Sequence, residues 1–263
     1  MAINLDKMRA KRDQLQNKGS GNSVTWRPDD GDQTIRILPT SDGDPFKELW
    51  FHYNVGKNAG FLCPKKNHGQ DCPVCEFASS LWREGSQNDD KDSLKMAKSL
   101  FARQRFFSPI VVRGEEDRGA RIWGYGKMAY ETLLNLVLNP EYGDITDVDE
   151  GTDLNLNYGK PAGASFPQTK LQPRRRTSPL GDESVGGEEW TAELLENIPD
   201  IDTLFECPTS ESVGSMLDEY LSSDATAESG ASEEEKYNKT ETSADTGTSV
   251  DRAFEELLGA SGA

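Results

Sequence analysis

The chain has 263 residues, 34% hydrophobic and 29% charged, with a formal net charge of −17. That is too polar for one packed unit using every residue, so part of the chain is expected to stay unfolded. No apolar run approaches the roughly 18 residues that cross a bilayer, and the start MAINLDKMRAKRDQ lacks the apolar core of a secretion signal, which argues against membrane and secreted classes.

The charge is unevenly placed. Residues 1–176 carry 26 Lys/Arg against 24 Asp/Glu, a net of +2, whereas residues 177–263 carry 3 against 22, a net of −19. A near-neutral body is joined to an acidic tail, and such tails stay solvated and extended. The overall acidity therefore does not argue against a nucleic-acid ligand for the body. It is compatible with a tail that competes with nucleic acid for a basic groove.

Residues 3–16 set Ile3, Met8 and Leu15 among Lys7, Arg9, Lys11 and Arg12, the pattern of a short basic helix, and a Gly/Ser/Asn linker follows. From Trp26 the texture turns β-rich. Residues 34–38 and 48–54 read as strands, 76–82 and 91–98 as helices, and 101–112 as a long strand returned by the turn at 115–119 through residues 120–125. Residues 127–138 read as a helix with Met128, Leu134 and Leu138 on one face, stopped by Asn139-Pro140, and residues 153–158 as a last strand. Short strands paired by turns point to a small barrel or sandwich. Beyond Arg176, residues 189–197 and 212–222 read as short acidic helices and 223–249 as disordered. Residues 250–258 (VDRAFEELL) regain an amphipathic pattern suited to a docking peptide.

Cys63, Cys72 and Cys75 fall within thirteen residues, in FLCPKKNHGQDCPVCEF. Cys72-Pro-Val-Cys75 brings two thiolates to one tetrahedral ion, Cys63 adds a third, and either His52 or His68 is near enough to be the fourth. Three Cys and one His make a closed structural zinc site that binds its ion as it folds. A redox CxxC leaves Cys63 and the histidines unused, a disulfide is at odds with the missing secretion signal, and a catalytic zinc needs an open position that nothing announces. Local spacing alone favours His68, while His52 sits on a predicted strand leading back to Cys63. Cys207 reads as an ordinary thiol.

The strand at 101–112 sets Phe101, Arg103, Arg105 and Phe107 on one face by its period of two, with Phe106, Ile110 and Val112 opposite. Returning residues Arg121, Trp123 and Tyr125 offer a matching face, followed by Lys127. Lys95 and Lys98 precede the strand, and Phe166, Lys170, Arg174, Arg175 and Arg176 come later. Cations alternating with rings suit unpaired nucleic acid, because cations neutralise phosphates while rings stack on bases. The competing reading puts the rings in the core, the arginines in solvent and the arginine tract in a linker. GYGKMA at 124–129 fits a dinucleotide pattern only in outline, since no parallel βαβ frame surrounds it. No nucleophile–base set is visible, so an enzyme is not expected.

In order, these features resemble the single-stranded DNA-binding (helix-destabilising) proteins of T-even-like phages and their marine relatives. The resemblance is carried by the first strand ending in TIRILP, the block HYNVGKNAGFLCPKKNHGQDCPVCEF, the stretch PIVVRGEEDRGARIWGYGKMAYETLLN, and PEYGDITDVDEGTDLNL. It implies a mainly β protein with some α: an OB-fold core over residues 24–180 with a zinc module at 52–75. A basic arm for self-association is implied at 1–23 and a largely disordered acidic tail at 181–263. It implies one structural Zn2+ on His52, Cys63, Cys72 and Cys75, His52 being the histidine upstream of the first cysteine. It further implies single-stranded DNA on Lys98, Phe101, Arg103, Arg105, Phe107, Trp123, Tyr125, Lys127, Phe166 and Arg174. Replication and recombination proteins are expected on the tail, and the cytoplasm of an infected host cell as the location. The alternative is a zinc-containing adaptor that recruits proteins through its acidic tail without touching DNA. A zinc-ribbon reader of duplex DNA is a third.

Overall fold

The computed structural model describes residues 24–164 and 166–228, the last six by backbone alone. The expected basic arm and the amphipathic end at 250–258 lie outside the described residues.

Runs rich in branched and aromatic residues form eight described strands: β1 Thr25–Trp26, β2 Gly31–Ile37, β3 Lys47–Val55, β4 Asn58–Leu62, β5 Arg103–Val112, β6 Arg121–Tyr125, β7 Leu154–Gly159 and β8 Gln168–Pro173. They make one sheet in the order β1-β6-β5-β2-β7-β8, with β3 joining off that path through β5 and carrying β4. All pairings are antiparallel except the two-residue β1–β6 contact. The antiparallel β5–β6 pair, with Phe106 opposite Tyr125, disposes of the dinucleotide pattern at 124–129.

The long strand β5 organises the molecule. Its first half pairs β3, from Phe51↔Arg103 to Lys47↔Phe107, and its second half pairs β2, from Ile37↔Ile110 to Ile35↔Val112. Pro109, which has no N–H to give, falls in the gap between the two partners and accepts from the Leu38 amide through its carbonyl at 2.9 Å. One strand thus serves two lobes.

In the first lobe Ile35, Ile37, Phe106, Ile110, Trp123, Leu154 and Leu156 turn inward. Alternation is clean on β7, where Leu154 and Leu156 are buried and Asn155 and Asn157 exposed. Helix α4 (Lys127–Val137) closes this core with Ala129 and Leu133. Met128 and Leu138, expected on the buried face, are 74% and 77% exposed. The buried stripe runs through Ala129 and Leu133 instead, with Leu134 half-buried at its edge.

The second lobe holds α1 (Pro64–His68), α2 (Pro73–Asn88) and α3 (Lys91–Leu100), with α4 following β6. Pro64 and Pro73 each occupy a first helical turn, where the missing N–H costs nothing. Asp90 caps α3 through its carboxylate, which accepts from the Asp92 and Ser93 amides.

The acidic region after residue 180 is not a free tail throughout. Helices α5 (Gly187–Glu196), α6 (Ile201–Leu204) and α7 (Ser210–Glu228) follow β8. Leu180 and Leu194 pack on Leu38 and Val111; Ile201 and Phe205 pack on Phe51 and Phe107; Val213 and Leu217 pack beside Val55, Cys72 and Val74. The boundary expected at 180 is therefore corrected: residues 181–222 belong to the folded body, and α7 continues into the stretch read as disordered.

A buried ionic cluster ties this return to the sheet. The Asp153 carboxylate accepts from Arg36 Nε at 2.8 Å and from Arg113 Nε and Nη2 at 3.1–3.2 Å. Arg36 is fully buried, and its remaining donors reach the carbonyls of Asp147 and Ser178.

Candidate metal centre and cationic interface

Hairpin β3–β4 delivers His52 and ends at Cys63, and the loop after α1 returns Cys72 and Cys75 to the same point. The ligand atoms of His52, Cys63, Cys72 and Cys75 lie within 4.8 Å of one another, and all four residues are buried. His52 Nε2 is 3.4 Å from the sulfurs of Cys72 and Cys75, and Cys63 Sγ is 3.4 Å from Cys75 Sγ. His52 Nδ1 donates to the Leu100 carbonyl at 2.8 Å, which fixes the ring so that Nε2 turns its lone pair to the thiols. Cys72 stands at the N-cap position of α2 and Cys75 lies in its first turn, where the helix dipole favours thiolate. His68, favoured by local spacing, is exposed at the end of α1 and takes no part.

The electrostatics of this cluster ask for a cation. Burial opposes charge on His52, yet hydrogen bonds and charge from Cys63 and Cys72 push its imidazole up to about 9. Hydrogen bonds from Cys72 and Cys75, with help from His52 and the Lys66 amide, hold the Cys63 thiol far below its ordinary range. The same crowding drives Cys75 upward. Three thiolates cannot coexist here unaided, and the donor set of three soft sulfurs and one imidazole could hold a metal ion in their midst. Val213, Leu217 and Phe61 wall the cluster from water.

The cations expected to meet nucleic acid gather only in part. Arg103 and Arg105 are half-buried at the head of β5, and the Arg105 guanidinium lies against Gly126, 3.7 Å from where a Cβ would stand. Lys127, exposed, opens α4 just beyond and sits 3.5 Å from Glu131. That helix has no side-chain cap and no acidic residue in its first turn, so its amide donors face the same region as Arg105. Lys98 is exposed on α3 with its ammonium 5.6 Å above the Trp82 ring, and half-buried Phe101 meets Trp82 edge-on at 6.1 Å. Phe166 is half-buried in the β7–β8 connection, and Arg174 is exposed beyond β8, bonded to Asn155 and Thr34.

Three expected stacking rings are corrected. Phe107 is fully buried between Phe51 and Phe205. Trp123 is 1% exposed against Trp26 and Tyr125, and Tyr125 is 3% exposed with its hydroxyl bonded to Ser108 Oγ at 2.7 Å. Their faces are occupied by core neighbours and have none left for a base. Arg121, read as part of the same face, is buried and paired with Glu115 at 2.8 Å. The sequence reading missed Trp82, 37% exposed on α2. A large ring on a helix otherwise rich in Ser, Arg and Glu was the available signal. Trp50, half-buried beneath Lys66 at 5.2 Å, was also missed.

A sheet-rich body built around one shared strand, with a cationic strand head and a buried three-cysteine, one-histidine cluster that could hold a metal ion, defines a mixed sheet-and-helix protein with an embedded cysteine-histidine lobe. Residues 29–220 match the family described as gp32 DNA binding protein like, an extent that takes in both lobes and the acidic helices packed on them. The chain belongs to this gp32-like DNA-binding protein family. No curated protein matches it.

Proposed function

We propose that this protein coats single-stranded DNA during phage replication, recombination and repair, as a binding protein without catalytic chemistry. The observation that carries the reading is the family match across 29–220. The head of β5 supplies the means: Lys98, Arg103, Arg105 and Lys127 neutralise phosphates, and the uncapped start of α4 adds amide donors. Phe101 and Phe166 stack on bases, joined by Trp82, which takes the place of the buried rings. The core is an OB-fold, and one structural Zn2+ on His52, Cys63, Cys72 and Cys75 holds the metal lobe beside the cationic patch. The basic arm at 1–23 serves self-association along the strand, and the chain beyond 228 recruits replication and recombination proteins in the cytoplasm of the infected host.

The test contrasts this with an adaptor that recruits proteins and leaves DNA alone. The double variant Arg103→Glu, Arg105→Glu should lose oligo-dT affinity by at least tenfold, and removal of residues 229–263 should raise it. An adaptor responds to neither change.

A further inference from the structure

We infer that Arg174, Arg175 and Arg176 form a second phosphate-binding element, pinned to the body about 30 Å along β5 from the Arg103–Arg105 cluster. The inference rests on the single-stranded DNA reading above and adds a contact at the far end of the same strand.

A linker charge run has no reason to be anchored, and this tract is anchored on both sides. Upstream, β8 pairs β7 as far as Leu154↔Pro173, and the Arg174 amide donates to the Asp153 carbonyl at 2.9 Å. Downstream, the Ser178 amide donates to the Gly151 carbonyl at 3.1 Å and the Leu180 amide to Val148 at 2.7 Å. The buried ionic cluster grips the same stretch. Arg36 Nη2 donates to the Ser178 carbonyl and hydroxyl at 2.7 and 2.8 Å, and Arg113 donates to the carbonyls of Leu180 and Pro179 at 2.6 and 3.0 Å. Only residues 174–177 are left between anchors, an arch whose three consecutive guanidinium groups are all exposed.

The arch borders a cleft of about 610 Å³, with Arg113, Thr177, Ser178 and the carboxylates of Glu116, Asp153 and Asp182 in its wall. All three carboxylates are engaged locally: Asp153 accepts from Arg36 and Arg113, Glu116 from the Gly114 amide at 2.8 Å and Asp182 from the Ser184 amide at 2.9 Å. Among the described residues, none pairs with the Arg175 or Arg176 side chain. Arg174 uses Nε and Nη2 on Asn155 and Thr34, which aims its fork and leaves Nη1 open. Planar guanidinium forks bind phosphate oxygens two at a time, and a cleft of this size admits a nucleotide-sized group.

The separation makes the proposal testable by ligand length. About 30 Å corresponds to about nine nucleotides at the ~3.4 Å per charge of one B-form strand, so a dT16 can span both ends and a dT4 cannot. Full-length, metal-loaded protein is titrated with labelled dT4 and dT16 over a salt series, as wild type and as R174Q/R175Q/R176Q. The expected result is an unchanged dT4 affinity within about twofold, and for dT16 a salt slope shallower by about 2, at ~0.7 per lost phosphate contact. The charge-conserving triple Arg→Lys variant should restore most of that slope. Wild-type binding with an unaltered dT16 slope in the glutamine variant overturns the arch and leaves the single-stranded DNA reading standing. Equal losses on dT4 and dT16 contradict its placement at the far end. Failure of the wild type to bind either oligonucleotide overturns both.

Discussion

His52 Nε2 lies 3.4 Å from Cys72 Sγ, across twenty residues of sequence. The contact depends on hairpin β3–β4 turning the strand back on itself and on the Leu100 carbonyl holding the other ring nitrogen. A metal ion held by this cluster would use the contacts that fold the lobe, so metal content and lobe stability should rise and fall together. Purified protein should carry about one zinc per chain. His52→Ala and Cys72→Ser should lose it and unfold the metal lobe, with a loss of at least ~3 kcal/mol seen as a melting point lower by about 6–12 °C. His68→Ala should change neither metal content nor melting point. Acidification should release the ion as protons compete for the thiolates.

Asp153 sits between two guanidinium groups, one of them fully buried. Asp153→Ala should cost about 3–5 kcal/mol, because it leaves a buried charge without its partner. The check is the urea midpoint at constant slope. Arg113→Lys, which keeps a charge near Asp153 but loses the fork, should cost less than half as much.

Phe205 plugs the outer side of the sheet, 5.1 Å centre to centre from both Phe51 and Phe107. Phe205→Ala should destabilise by about 3–5 kcal/mol. A chain ending at residue 180 should fail to fold cooperatively, while one ending at 228 should melt like the full length. Limited proteolysis provides the parallel readout: cleavage within 181–222 should be slow.

Trp82 and Trp123 make opposite predictions. Trp82→Ala should leave the melting point within about 2 °C and weaken oligo-dT binding by roughly 1–3 kcal/mol, the worth of one stacked base. Trp123→Ala should instead destabilise the fold by about 3–5 kcal/mol. Loss of binding from Trp123→Phe without loss of stability would contradict its place in the core.

Much of the fold was legible because its signals are local. Strand patterning placed β3, β5, β6 and β7 within two residues at each end and β2 only from its fourth residue on, and the Cys63, Cys72, Cys75 spacing pointed directly to three members of the cluster. The fourth, His52, was open between two histidines on spacing alone, since only the return of β4 along β3 decides it. The buried rings were misread for a related reason. Phe107 looks like a solvent-facing neighbour of Arg105 until Ile201 and Phe205, about a hundred residues on, cover that face. Those covering residues were hidden in turn, because each acidic helix adds its apolar side chains to a surface that other elements have already built. Trp82 escaped notice because its partners Lys98 and Phe101 meet it only when α2 and α3 fold back on each other.

The proposed binding of unpaired DNA by the cationic head of β5 and its neighbouring rings should be visible in tryptophan emission. The most direct measurement is a tryptophan-fluorescence titration of metal-replete protein with oligo-dT and with a matched duplex, at two salt concentrations. Quenching by the single strand, absent with the duplex and relieved steeply by salt, is the predicted result. No binding to either form, in the full-length protein and in the chain ending at 228 alike, would contradict it.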